Sequence, residues 1–139
     1  MTKTIIASGY FDPLHVGHIE YLNMAASLYR DCRLVVIVNN DKQCMLKKGK
    51  IFQPQDDRLI IVRNLKPVFR AFLALDEDRT VCRSIRDIHN AFGDCVFAKG
   101  GDRFAGEIPE AAVCLELGID IVDGLGEKIR SSSKIKKNE

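Results

Sequence analysis

The chain has 139 residues, of which 46% are hydrophobic and 29% charged, and its net charge is +2. That is one domain's worth of an ordinary soluble globular protein with a real core, and it is too weakly basic for a general nucleic-acid binder. No apolar run approaches bilayer length, MTKTIIASGYFDPLH carries no secretory h-region or cleavage site, and the five cysteines, odd in number and without C-x-x-C spacing, read as free thiols of a reducing compartment, so the expected location is the cytoplasm, with neither nucleic acid nor membrane as partner.

Thr4 to Ser8 is short, β-branched and apolar and stops at Gly9, which predicts a buried strand. Val16, Ile19, Leu22, Ala26 and Tyr29 recur at steps of three and four and predict an amphipathic helix. Leu34 to Val38 is a second strand, ended by the turn chemistry of Asn39-Asn40-Asp41. A basic, glycine-containing segment follows, Lys47-Lys48-Gly49-Lys50. Pro54 and the acidic pair Asp56-Asp57 then open a helix running to Leu65. Val68 to Leu75 is a strand broken by Asp76-Glu77-Asp78, and Thr80 caps a helix to about Ala91 closed by Gly93. Cys95 to Ala98 is a buried strand halted by Gly100-Gly101-Asp102. Pro109 starts a helix ending at Gly118, Ile119 to Val122 is the last strand, and Ser131-Ser132-Ser133 precede a short basic terminus whose last residues, Lys136 to Glu139, should fray. Cys82, Cys95 and Cys114 fall inside apolar patterns and read as packing residues.

Short continuous apolar strands alternating with helices predict an α/β fold, a Rossmann-like doubly wound parallel sheet, as one domain over residues 1–139. Such sheets bind ligands beyond the carboxyl ends of their strands, where strand order reverses. Gly9 to His18, Lys99 to Arg103 and Lys128 to Ser133 all follow predicted strands or precede helix starts. The architecture predicts that the three meet at one rim.

In Gly9-Tyr10-Phe11-Asp12-Pro13-Leu14-His15-Val16-Gly17-His18 the two histidines enter a helix three residues apart, on one side of its first turn. Gly17 leaves space for a phosphate to approach the backbone, and the helix N-terminus adds unpaired N–H groups and a partial positive charge. Two imidazole donors and a helix dipole suit an anion whose charge shifts during reaction. Histidines at a helix start can simply cap it, and an i,i+3 pair without a third ligand is a poor zinc site. The glycine–aromatic–Asp–Pro lead-in, after a strand and before a helix, favours a site.

This G-x-F-D-x-x-H-x-G-H segment resembles the hallmark of the cytidylyltransferase-like nucleotidyltransferases. The family includes glycerol-3-phosphate cytidylyltransferase, the adenylyltransferase domain of the ADP-heptose synthesis enzyme, and the phosphocholine and phosphoethanolamine cytidylyltransferases. The likeness runs from Thr4 to about Ile135. It implies in-line attack by a phosphate or phosphonate oxygen on the α-phosphorus of CTP or ATP, with release of pyrophosphate. By the same resemblance the acceptor would be a phosphorylated small molecule, a divalent Mg²⁺ would be bound mainly through the triphosphate, and the chain would form a homodimer. His15 and His18 would hold the α-phosphate, Lys48 or Lys50 would offset charge on the bridging and leaving groups, and Gly9, Tyr10, Phe11, Asp12 and Gly17 would line the nucleotide site. Asp12 is the carboxylate nearest the motif, open to either a metal or a loop-orienting role.

Lys99, Gly100, Gly101, Asp102 and Arg103 match the family's glycine–Asp nucleotide segment, in a K-G-G-D form close to the ADP-heptose type. Arg130, Ser131, Ser132 and Ser133 match its Ser/Thr cluster, which would grip pyrophosphate. The glycerol-3-phosphate enzymes carry an Arg before that cluster where this chain has Gly126, so Lys128 or Arg130 would substitute. Lys66 matches a basic residue near the acceptor, whereas Arg58 reads as a solvated helix residue. The family pattern leans to CTP and K-G-G-D leans to ATP, and no residue selects the acceptor. Two further readings are the other H-x-G-H enzymes, pantetheine-phosphate adenylyltransferases and class I aminoacyl-tRNA synthetases, and a nucleotide-binding module without catalysis.

Overall fold

In the computed structural model, which describes residues 2–100 and 108–125, the elements alternate as their hydrophobic periods predict. They are β1 (Lys3–Gly9), α1 (Val16–Ala26), β2 (Cys32–Val38), α2 (Asp41–Lys48), α3 (Gln55–Arg63), β3 (Val68–Leu73), α4 (Cys82–Phe92), β4 (Cys95–Gly100), α5 (Glu110–Leu117) and β5 (Asp120–Leu125). The strands form one five-stranded sheet in the order β3-β2-β1-β4-β5, and every pairing is parallel.

Alternate side chains of each strand face opposite sides of the sheet, so two apolar layers form. Ile5, Ala7, Val36 and Val38 pack with Leu22 and Ala25 of α1 and Val62 of α3. Ile6, Val35, Ile37 and Phe97 pack with Ile85 and Ile88 of α4 and Val113 and Cys114 of α5. All five cysteines are free. Burial pushes the Cys95 and Cys114 thiols up to about 11, which suits packing groups rather than reactive ones.

Three local expectations change. The segment after β2 is a helix, α2, not a loop: the Asn40 side chain accepts from the Gln43 N–H, the Gln43 side chain accepts from the Asn40 N–H, and Gly49 closes the helix at φ 76°. That reciprocal N-cap and left-handed C-cap are both legible in the residues. Helix α1 ends at Ala26, and its buried face is Tyr21, Leu22 and Ala25, while Val16 is 60% exposed at the rim. The Thr80 hydroxyl does accept the Cys82 N–H, but the free N–H groups of Arg83 and Ser84 go to the buried Asp76 carboxylate.

The β1–β4 ladder runs only from Thr4↔Cys95 to Ile6↔Phe97. Beyond it α1, which follows β1, packs on one face and α5, which follows β4, on the other, and a crevice opens at the C-terminal rim. This is the strand-order reversal that doubly wound sheets use for ligands.

Candidate active site

A cleft of about 750 Å³ occupies that crevice. Its walls bring together Gly9, Tyr10, Phe11, Asp12, His15, Gly17, His18, Lys48, Lys99 and Gly100 of the residues singled out in the sequence. Lys47, from the same basic segment as Lys48, lines it too, as do Tyr21 and Glu110, which the sequence reading passed over. Gly101, Asp102, Arg103, Arg130, Ser131, Ser132 and Ser133 lie outside the described residues.

The two histidines close the first turn of α1 on each other. His15 is the N-cap, and its Nδ1 accepts the Gly17 N–H at 3.0 Å. His18 reaches back, and its Nδ1 accepts the His15 N–H at 3.0 Å. The rings stack with centroids 3.8 Å apart, and the Phe11 ring meets His18 edge-on at 5.0 Å. A ring nitrogen that accepts a hydrogen bond carries no proton, so a neutral imidazole held this way has its proton on Nε2. Both side chains are thereby fixed as Nε2–H donors. Burial, with the neighbouring His15 adding to it, lowers His18 from its ordinary value to about 4, so His18 is neutral at pH 7.

Two glycines make this arrangement possible. A Cβ on Gly17 would lie 2.9 Å from the His15 ring, and one on Gly9 would lie 2.8 Å from the Phe11 ring. Phe11 itself is buried with φ 51°, a left-handed conformation unusual for a bulky residue and held only where packing over-determines it. Its ring is the floor of the site rather than a surface open to ligand.

The loop above the histidines is braced by buried charge. Asp12 accepts the Gln53 N–H on Oδ1 at 2.6 Å, and the Phe52 N–H and the Lys48 ammonium on Oδ2 at 3.0 Å each. Burial pushes the Asp12 carboxyl up, but these donors outweigh it and the net shift is downward. Asp12 therefore orients the loop. Lys48 is tied to it, and Lys47 from the same helix end stands over the Tyr10 ring at 4.6 Å. Lys50 follows the Gly49 cap on an exposed segment and does not line the cleft.

Arg58 corrects the expectation of a solvated helix residue: it is 1% exposed. Its guanidinium donates to the carbonyls of Gln53, Tyr10 and Asn39 and to the Asp41 carboxylate, at 2.6–2.9 Å. One side chain thus joins the β1–α1 loop, the β2–α2 turn and the segment before α3. Lys66 is a second correction. It precedes β3, at the opposite rim of an all-parallel sheet, and a six-residue strand spans roughly 20 Å. This chain does not bring Lys66 to the cleft.

Among the described residues no group of three His, Cys, Asp or Glu side chains is placed to hold a metal ion. Of the carboxylates lining the cleft, Asp12 is engaged by N–H donors, and Glu110 Oε2 accepts the Val81 N–H. These residues do not make a Mg²⁺ cage. No helix among the described residues is long and apolar enough to cross a membrane.

The cytidylyltransferase-like family model matches residues 6–138. An FAD synthase of Methanothermobacter thermautotrophicus is 39% identical over 77 residues, 55% of this chain and 51% of that protein. Bifunctional protein HldE of Streptomyces coelicolor is 37% identical over 116 residues, 82% of this chain and 23% of that protein. The crystal structure of a lipopolysaccharide core biosynthesis protein from Thermoplasma volcanium superposes with a TM-score of 0.68 at 26% identity, covering 88% of this chain and 96% of that one. The chain spans about half the length of the FAD synthases it matches.

Proposed function

The chain belongs to the cytidylyltransferase-like family, and we propose that it is a nucleotidyltransferase that moves AMP from ATP to the phosphate of a small phosphorylated acceptor and releases pyrophosphate. The observation that carries this reading is the histidine pair: two Nε2–H donors fixed by each other's helix cap at the strand-order reversal. Neutral donors beside a helix N-terminus stabilise negative charge as it builds on an α-phosphate without adding a charge that binds the ground state equally well.

The acceptor phosphate is already an anion and needs no strong base, so rate enhancement comes from positioning and charge. The acceptor oxygen attacks the α-phosphorus in line. His15 and His18 hold the α-phosphate oxygens as the five-coordinate state forms. Lys47 and Lys48, at the end of α2, offset charge across the cleft, and the α–β bridge breaks with pyrophosphate taking the electron pair. Mg²⁺ belongs to this reading as an ion carried by the triphosphate, and a homodimer as its assembly. ATP is favoured over CTP by the relatives named FAD synthase, since FAD carries an adenylyl group on a flavin phosphate. Flavin mononucleotide and sugar or polyol phosphates are therefore the acceptor classes to try.

Purified protein with Mg²⁺ and either ATP or CTP should be incubated with flavin mononucleotide, glycerol 3-phosphate, sugar 1-phosphates and a phosphonate, with pyrophosphate as readout. The expected result is release that requires ATP and one acceptor, and its loss when His15 and His18 are both replaced by alanine. Unchanged release by that double variant would overturn the assignment. Release with CTP alone would reverse the nucleotide and leave the chemistry intact.

A further inference from the structure

Tyr21 sits on α1 one turn beyond His18 and is buried where β1 and β4 part. The ladder between those strands ends at Ile6↔Phe97. Past that point the Ser8 N–H and the Ala98 carbonyl would lack strand partners, and buried backbone groups need them. The Tyr21 hydroxyl supplies both: it accepts the Ser8 N–H at 3.2 Å and donates to the Ala98 carbonyl at 2.5 Å. Its ring also lies against Gly100, where an added Cβ would be 3.1 Å from Cδ1 and 3.2 Å from Cε1. Burial pushes the phenol well above its ordinary value, so the hydroxyl keeps its proton and its donation to Ala98.

We propose that Tyr21 is a positioning residue for nucleotidyl transfer, a rigid spacer that sets the distance between the histidine-bearing turn of α1 and the Lys99–Gly100 end of β4. This rests on the function proposed above. A direct Ser8–Ala98 hydrogen bond would continue the ladder and narrow the crevice. The phenol holds the two strands apart by one side chain's width while satisfying both. It belongs to the helix with the catalytic pair and reaches both the end of β1 and the end of β4. A displacement of about 1 Å at a reacting centre is enough to cost about 10²-fold in rate, so the spacer acts on turnover more than on affinity.

The test compares Tyr21→Phe, which keeps the ring and removes the bridge, with 4-aminophenylalanine at position 21, whose amine again donates. Expected for Tyr21→Phe are a kcat at least tenfold lower, a nucleotide Kd by calorimetry within threefold of wild type, and faster deuterium exchange at the Ser8 amide. Expected for the amine is recovery of most of kcat. Wild-type kcat in Tyr21→Phe, or equal loss in both variants, would overturn the proposal, the second because the ring's packing and not its bridge would then matter. If Tyr21→Phe does not fold, the amine variant decides alone through the donation to Ala98 that it restores: near-wild-type kcat supports the bridge, and loss of kcat overturns it. A wild-type chain that turns over no acceptor contradicts the function itself, and Ser8 exchange in Tyr21→Phe then decides the bridge: unchanged protection overturns it.

Discussion

The two rims of the sheet handle charge in opposite ways. At the C-terminal rim, Arg58, Asp76 and Gln43 are buried, and they, with the Asp12 carboxylate, bond largely to backbone groups of neighbouring loops. At the N-terminal rim, Lys3 pairs with Asp94 at 3.2 Å with both side chains partly in water, Thr2 meets Asp31, and Arg33 lies between the rings of Phe69 and Phe92. Exposed pairs of this kind contribute about 0–1 kcal/mol. A desolvated charge must be satisfied in full, so it fixes whatever it bonds to. The rim that carries the cleft is thus the rim whose loops are pinned from within, which is what preorganised donors require.

The contrast is broken most severely at Arg58. Arg58→Met would leave three carbonyls and the Asp41 carboxylate without their donor and should cost about 3–5 kcal/mol, the range for removing one partner of a buried pair, read from urea unfolding. The histidines come next. His18→Ala should lower kcat by about 10²–10³, or about 2.7–4 kcal/mol of barrier, as for loss of one preorganised donor. His15→Asn separates the two duties of that residue, because asparagine is a good N-cap but offers no Nε2–H. Its thermal midpoint should stay near wild type while kcat falls by a similar factor.

Acid sharpens the comparison further. His18 titrates at about 4 in the folded chain and near 6.5 when unfolded. Between those values the unfolded chain binds the extra proton, so stability from this group is complete above pH 6.5 and declines as pH falls toward 4. A thermal midpoint measured across that window should fall more steeply for wild type than for His18→Asn. The smallest effect is expected at the other rim, where Lys3→Ala should change stability by less than about 1 kcal/mol and leave kcat unaltered.

How much of this is legible in the residues depends on whether the signal is local. Each strand is a short apolar run and each predicted helix has its period, so the parallel α/β sheet and the convergence of Gly9–His18 with Lys99–Gly100 follow from pattern alone. Helix α2 was open to the same reading through Asn40, Gln43 and Gly49, but two adjacent asparagines after a strand read first as a turn. With the helix in view, Lys47 and Lys48 fall in its last turn beside the cleft, and Lys50 falls past the cap. Arg58 and Tyr21 were not legible, because nothing near either in sequence tells that its partners are Tyr10, Asn39, Ser8 and Ala98. Lys66 shows the converse, a resemblance in sequence position that the strand direction carries to the wrong rim.

The central claim is that the cleft works through two neutral imidazoles, each held with its proton on Nε2 by the other's part in the helix cap. Nitrogen-15 NMR of the histidine side chains at pH 7 tests it directly, with His15 and His18 assigned by substitution. The account predicts neutral rings for both, protonated on Nε2, with Nδ1 shifts typical of a hydrogen-bond acceptor. A doubly protonated ring, or a neutral ring carrying its proton on Nδ1, at either position would contradict it.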